Sequence, residues 1–131
     1  MKKHGILNHE LIEVIATLGH TDALVIADAG LPIPPEVRRI DLAVVGGVPR
    51  FMEVLRAVLD EMQVERVTVA GEMAIRSADL RGELASALDG IPIGEVSHEE
   101  FKQLTRQACA IVRTGEFTPY ANIILYSGVM F

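Results

Sequence analysis

Short apolar runs rich in β-branched residues alternate along this chain with longer stretches whose apolar residues recur at helical spacing. This alternation is typical of a single α/β domain, because the helices between strands pack back onto the sheet. We therefore predict a three-layer α/β/α fold over residues 1–131, with a mostly parallel or mixed sheet of about six strands. The predicted strands cover residues 24–27, 39–45, 67–70, 91–96, 110–112 and 122–125, and the predicted helices cover 9–18, 49–62, 77–88 and 98–104.

Local signals mark where several of these elements begin. Asn8 suits the N-cap of the first helix, and Pro49 suits the first turn of the second. Ser97 followed by Glu100 has the arrangement of a capping box. Ligands of parallel sheets bind beyond the carboxyl ends of strands, so the segments after Ala27 and Val112 are the first places to look for a site.

Charge and composition exclude several kinds of partner. The net charge is −6, from 12 basic and 18 acidic residues with no run of cations, so nucleic acid is not expected. No apolar stretch reaches the roughly 18 residues of a membrane span, so membrane insertion is not expected either. Half of the chain is hydrophobic although only 5% is aromatic, and its end, Val129–Phe131, is apolar. This aliphatic surplus predicts buried subunit interfaces and hence a homo-oligomer.

Sequence signatures of cofactor and metal sites are missing. The chain has no GxGxxG, no GxxxxGK[ST], no HExxH and no GxSxG, so we expect no cofactor and no metal. Its single cysteine, Cys109, lies between alanines at a predicted strand start, and we expect it to be buried. One cysteine cannot form an intramolecular disulfide, which fits a cytoplasmic protein.

His20 and Asp28 are the first candidates for acid–base chemistry. His20 follows the end of the first predicted helix, where the negative end of the helix dipole favours imidazolium, and Asp22 or Asp28 could orient its ring. Asp28 ends an apolar strand, where a carboxylate needs a partner or a cavity. Alternatively, His20 caps the helix, Asp22 is a turn residue, and Asp28 binds backbone N–H groups ahead of the prolines.

His98 is a candidate hydrogen-bonding partner, and the segment Pro119–Asn122 is a candidate for sugar contacts. His98 lies in the first turn of a predicted helix, where neutral imidazole is favoured as a hydrogen-bonding group, unless it is simply solvated. Tyr120 and Asn122 offer an aromatic face, donors and acceptors, a mixture that suits sugars. The alternative is a turn in which Tyr120 packs and Asn122 bonds locally.

Seven blocks of this sequence resemble the D-ribose pyranase and L-fucose mutarotase family. They run nearly end to end in the family's order, and the match is poorest over residues 72–93. Pro119–Asn122 and the terminal Gly128–Val129 favour the ribose branch over the fucose branch. The blocks are 19–22, 26–34, 47–51, 62–65, 97–102, 113–125 and 128–131.

The resemblance implies an isomerase that interconverts the pyranose and furanose forms of β-D-ribose and so supplies furanose for ribose phosphorylation. The family's proton donor falls on His20, and its substrate contacts fall on Asp28, His98, Tyr120, Ala121 and Asn122. The family is cytoplasmic, free of metal, and assembled as a homodecamer of two stacked pentameric rings whose sites are completed by neighbouring subunits. These properties are expectations from resemblance.

Three alternatives remain open at this point. The chain could be a mutarotase for L-fucose or another sugar. It could instead be a non-catalytic, sugar-binding component of a ribose uptake system. The third alternative is a metal hydrolase that uses His20, Asp28 and His98 as ligands, although their separation matches no known ligand spacing.

Overall fold

Six strands and five α-helices make up the chain, which the computed structural model describes over all of residues 1–131. The strands are β1 (Ala23–Ala27), β2 (Arg38–Asp41), β3 (Val64–Ala70), β4 (Ile93–Val96), β5 (Ala110–Arg113) and β6 (Ile123–Ser127). The helices are α1 (His9–Thr17), α2 (Phe51–Glu61), α3 (Glu72–Arg76), α4 (Ala78–Leu88) and α5 (His98–Leu104), with a 3₁₀ turn at Thr105–Gln107. None of the helices is long and apolar enough to cross a membrane.

The strands form one mixed sheet in the order β2-β5-β1-β6-β3-β4. β1 and β2 both pair with β5 in parallel, and β3 pairs with β4 in parallel. β6 lies between β1 and β3 and runs antiparallel to both. The carboxyl ends of β1, β2 and β5 therefore share one edge of the sheet with the amino end of β6.

Apolar side chains cover both faces of the sheet, which confirms the three-layer prediction. All five residues of β1 are buried, as expected for a strand with covered faces. Leu24 and Ile26 belong to the larger core, which is filled by residues of α1 to α4. Val25 and Ala27 belong to a smaller core that contains Phe101 of α5 and apolar residues of the segment after β1.

The helix caps read from the sequence are present, but Pro49 is not in a helix. Asn8 and Ser97 accept hydrogen bonds from the N–H groups of Leu11 at 2.9 Å and Glu100 at 3.1 Å. α2 begins at Phe51 with Arg50 as its N-cap, so Pro49 precedes the helix instead of occupying its first turn.

Three other predictions are wrong in their details. The second strand ends at Asp41 rather than residue 45, because its partner β5 ends at Arg113 and no ladder remains beyond it. The helix predicted over residues 77–88 begins at Ala78, and a separate short helix precedes it, since Ser77 leaves the helical conformation (φ −143°, ψ 53°). Cys109 is exposed, because it precedes β5 rather than lying within it.

Candidate functional site

A cavity of about 570 Å³ opens beyond the carboxyl ends of β1 and β5. Asp28 follows β1 directly, and Arg113 ends β5, so the parallel pairing of these strands brings both residues to the cavity wall. His98 and Tyr120 line the same cavity from α5 and from the loop before β6. The cavity lies at the segments after Ala27 and Val112, which are the two places where the sequence predicts a site.

Asn122 makes two hydrogen bonds to Asp28, one to its backbone and one to its carboxylate. The side-chain oxygen of Asn122 accepts the backbone N–H of Asp28 at 2.9 Å, and its amide nitrogen donates to Asp28 Oδ2 at 3.0 Å. Gly30 donates its N–H to Asp28 Oδ1 at 3.0 Å. These bonds aim the carboxylate, which lines the cavity, while Asn122 is fully buried behind it.

His98 contacts Tyr120 at the cavity. The two rings meet edge to face, with centroids 5.0 Å apart and an interplanar angle of 82°. The backbone N–H of His98 donates to both carboxylate oxygens of Glu72, at 3.1 and 3.0 Å, which fixes the start of α5. The Nδ1 atom of His98 is buried and has no hydrogen-bond partner within the chain.

Tyr120 has a backbone conformation that side chains rarely adopt. Its φ is +62°, in the left-handed region, and its carbonyl accepts the N–H of Asn122 at 2.8 Å. The Ser77 hydroxyl donates to the carbonyl of Pro119 at 2.7 Å and so ties this turn to the start of α4. Ala121 is buried in the larger core, so only its backbone could reach a ligand.

Three charged residues at the cavity, Arg76, Arg113 and Glu116, were not singled out from the sequence. Arg113 donates through Nε to the carbonyl of Ala29 at 3.0 Å and through Nη1 to Asp41 Oδ2 at 3.2 Å. Glu116 is buried and accepts the N–H of Phe51 at 3.1 Å, which caps α2. For Arg113 and Glu116, the available signal was their place in the segment that follows the strand predicted over residues 110–112, which Arg113 directly follows.

Several contacts set the charge state of Glu116. Burial would raise the pKa of its carboxyl, but hydrogen bonds from the hydroxyl and the N–H of Thr118 and from the N–H of Phe51 oppose that effect. The charge of Arg50, whose Nη1 lies 3.4 Å away, acts in the same direction. Together these contacts lower the pKa below its ordinary value, so Glu116 is an anion that holds the floor of the cavity together.

His20 lies at the opposite end of β1 from this cavity. Its Nε2 is 2.9 Å from Oε2 of Glu65, the first exposed residue of β3. Asp22 instead accepts the N–H of Gly19 at 2.8 Å, so the prediction that Asp22 or Asp28 orients the His20 ring is wrong within one chain. The sequence also places His20 directly at the end of the first helix, under the influence of the helix dipole. In the structure α1 ends at Thr17, three residues before His20, and the dipole acts mainly within the last turn.

A single chain does not bring His20 to the other candidate residues. The four steps of β1 alone separate its two ends by about 13 Å. The three ligands of the metal hydrolase alternative are therefore not assembled in one chain, and no group of three or more His, Cys, Asp or Glu side chains could hold a metal ion. Asp28, His98, Tyr120 and Asn122 come together, whereas His20 faces away from them.

Comparisons with known proteins match the chain from end to end. The model of the RbsD / FucU transport protein family matches residues 1–130. A D-ribose pyranase of Laribacter hongkongensis is 59% identical over 131 residues, which is all of both chains. The structure of Bacillus subtilis RbsD complexed with D-ribose has a TM-score of 0.96 and 50% identity, covering 100% of both chains. The fucose mutarotase of Streptococcus pneumoniae in complex with L-fucose has a TM-score of 0.74 and 25% identity, covering 95% of each chain.

Proposed function

The chain belongs to the RbsD / FucU transport protein family, and on that basis we propose that it is a D-ribose pyranase. This isomerase interconverts β-D-ribopyranose and β-D-ribofuranose and supplies the furanose for ribose phosphorylation. The observation that carries the proposal is the full-length match to relatives of that name, at more than half identity. The same fold in a relative whose structure contains ribose supports it.

The chemistry of the cavity suits a monosaccharide. The carboxylate of Asp28 can accept from sugar hydroxyls, and the imidazole of His98, which lines the same cavity, can bond another hydroxyl. The ring and phenol of Tyr120 offer an apolar face beside a polar group. We assign substrate binding to these three residues, to Asn122 through its hold on Asp28, and to the backbone of Ala121.

The proposed reaction transfers protons and neither oxidises nor reduces the sugar. Opening the pyranose requires a proton on the ring oxygen as the bond from C1 to that oxygen breaks, and the anomeric hydroxyl gives its proton to water as the C1 carbonyl forms. Closure through the O4 hydroxyl reverses these transfers and gives the furanose. We assign proton donation to the His20 imidazolium, and such general acid catalysis contributes about 10²–10⁴-fold.

His20 can serve this cavity only if it comes from another copy of the chain. We therefore propose a shared site in a homo-oligomer, with the decamer of two stacked pentamers as the arrangement that the family resemblance implies. Exposed apolar surface supports an interface: Phe117, which lines the cavity, is 75% exposed, and so is Val44 in the segment after β2. Met130 and Phe131 at the chain end are exposed as well. A stable monomer in light scattering at micromolar concentration would contradict this proposal.

We propose a cytoplasmic location, which the single free cysteine supports because a reducing compartment needs no disulfides. No binding residue proposed above requires a metal.

Exchange NMR on unlabelled D-ribose tests the activity directly. Saturation transfer between the β-pyranose signals and the other ribose signals should rise with added protein, in the presence or absence of EDTA. Ribose binding without faster exchange would favour a non-catalytic binding protein. Faster exchange in L-fucose than in D-ribose would favour the fucose mutarotase activity instead.

Substitution of His20 tests the assignment of the proton donor. His20→Ala should lose most of the acceleration while ribose affinity, measured by calorimetry, stays near that of the wild type, because the proton moves only in the transition state. His9→Ala is the matched control, since His9 is an exposed histidine on α1. Wild-type exchange in His20→Ala would refute the assignment and make His98 the next candidate.

A further inference from the structure

The ring of His20 has one hydrogen-bond partner in the structure, the carboxylate of Glu65, at 2.9 Å from Nε2 to Oε2. We propose that Glu65 is a positioning residue for the proton donor, an inference that rests on the function proposed above. A carboxylate can only accept, so Nε2 carries the proton of this bond. The proton that reaches the sugar then comes from Nδ1.

An irregularity in the sheet directs Glu65 toward His20. Val64 pairs with Ser127 and Arg66 pairs with Tyr126, so Glu65 is an extra residue that has no partner on β6. This β-bulge breaks the alternation of the strand: Val67 faces the larger core, so regular alternation would place Glu65 on that same buried face, whereas the bulge gives that face to Val64 and leaves Glu65 exposed. Bulges commonly re-aim a side chain beside a functional site.

His20, the other residue of the pair, is fixed at the same end of β6 as Glu65. Thr21, next to His20, adopts a φ of +71° and donates its N–H to the carbonyl of Ser127 at 2.8 Å. Ser127 in turn donates its N–H to the carbonyl of Asp22 at 2.8 Å. Because Ser127 also pairs with Val64, the turn that carries His20 and the bulge that carries Glu65 share one anchor.

Stability alone does not account for this arrangement. The side chains of His20 and Glu65 are 53% and 37% exposed, and ion pairs at such positions contribute little to folding. Orientation is a stronger reason, because a carboxylate on one ring nitrogen holds the imidazole in one tautomer and one orientation. The Nδ1 proton passes to the ring oxygen as the bond from C1 breaks, and the O4 hydroxyl returns a proton to Nδ1 on closure.

A double-mutant cycle separates positioning from structure. Glu65→Gln should lower the exchange rate at saturating ribose about fivefold, the upper range for an exposed pair, and leave ribose affinity within about twofold. In the His20→Ala background, Glu65→Gln should have no further effect, because Glu65 acts only through the imidazole. Glu83→Gln is the matched control, since Glu83 is an exposed carboxylate paired with Arg56 at 3.0 Å.

Each other result overturns the role of Glu65. An equal loss in the wild-type and His20→Ala backgrounds would show that Glu65 supports the fold or the sugar directly. A loss of affinity without a loss of saturated rate would make it a binding residue. If Glu65→Gln exchanges ribose at the wild-type rate while His20→Ala does not, the positioning role is refuted and the proposed function stands. If the wild type itself does not accelerate exchange, the proposed function is refuted and this role with it.

Discussion

Asn122→Ala removes the side chain that holds Asp28 in place, and its consequences can be worked out from two hydrogen bonds. The amide of Asn122 accepts the backbone N–H of Asp28 at 2.9 Å and donates to its carboxylate at 3.0 Å. Asn122 is fully buried, so water does not readily replace the lost partners. The substitution leaves the N–H of Asp28 unpaired and removes a donor from the carboxylate.

The expected cost in stability is the sum of two unequal losses. The neutral bond to the N–H of Asp28 contributes about 1 kcal/mol, and the bond to the charged carboxylate contributes about 1.5–3 kcal/mol. We therefore expect Asn122→Ala to lower the free energy of unfolding by about 2.5–4 kcal/mol. Asp28 retains the N–H of Gly30 but loses its orientation, so ribose affinity should fall about tenfold or more.

Urea unfolding at fixed protein concentration measures the first effect, and titration calorimetry with ribose measures the second. Asn8→Ala is the control: Asn8 caps α1 with a single bond to Leu11 at 2.9 Å, so the same substitution should cost about 1 kcal/mol and leave ribose affinity unchanged. An Asn122→Ala protein that unfolds within about 0.5 kcal/mol of the wild type would refute the reasoning. Unchanged ribose affinity would show that Asp28 does not need Asn122 to bind sugar.

Three further predictions follow from local contacts. Hydrogen bonds from Thr118 and Phe51 lower the folded-state pKa of Glu116 below its ordinary 4.5, so its contribution to stability is complete above that pH and is lost as the pH falls through the lower folded value. The urea midpoints of the wild type and Glu116→Gln should therefore converge as the pH falls below 4.5. Gly115→Ala should destabilise by about 1–3 kcal/mol in urea unfolding, since its Cβ would lie 2.6 Å from two backbone carbonyl oxygens, whereas Gly82→Ala, with open space around it in α4, should stabilise by up to about 1 kcal/mol. Partial burial and the charge of Asp22 raise the pKa of the Cys109 thiol, so its alkylation by iodoacetamide at pH 8 should be slower than that of free cysteine.

Sequence patterns predicted the elements of this fold better than their arrangement. The caps at Asn8 and Ser97 depend on neighbours three residues away, so local sequence contains the whole signal. The antiparallel insertion of β6 between β1 and β3 has no comparable local signal, because a strand buried on both faces reads the same in either direction. Similarly, α3 has only five residues, too few for helical periodicity to stand out.

The same limit applies to the candidate site. Asp28 and Asn122 were each predicted to contact sugar, but their bond to each other spans 94 positions and exists because Ile26 of β1 pairs with Ile123 of β6. Glu65 was not singled out at all, since the bulge that exposes it depends on register with β6. Individual polar residues could thus be predicted from sequence, whereas the contacts between them depend on the order and register of the strands.

Mixed oligomers give the most direct test of a shared site. Neither His20→Ala nor Asp28→Asn should support rapid exchange alone, because each removes one half of the proposed site. If His20 and Asp28 of one site come from different chains, unfolding and refolding an equal mixture of the two variants should restore roughly a quarter of the wild-type sites, since random assembly gives that share of sites two intact halves. If both residues came from one chain, every site in the mixture would contain a substitution and no activity would return. Exchange NMR on the refolded mixture, compared with each variant refolded alone, distinguishes these outcomes. Mass spectrometry shows whether mixed oligomers have formed. If they have formed and the mixture is as inactive as its components, the shared site is refuted.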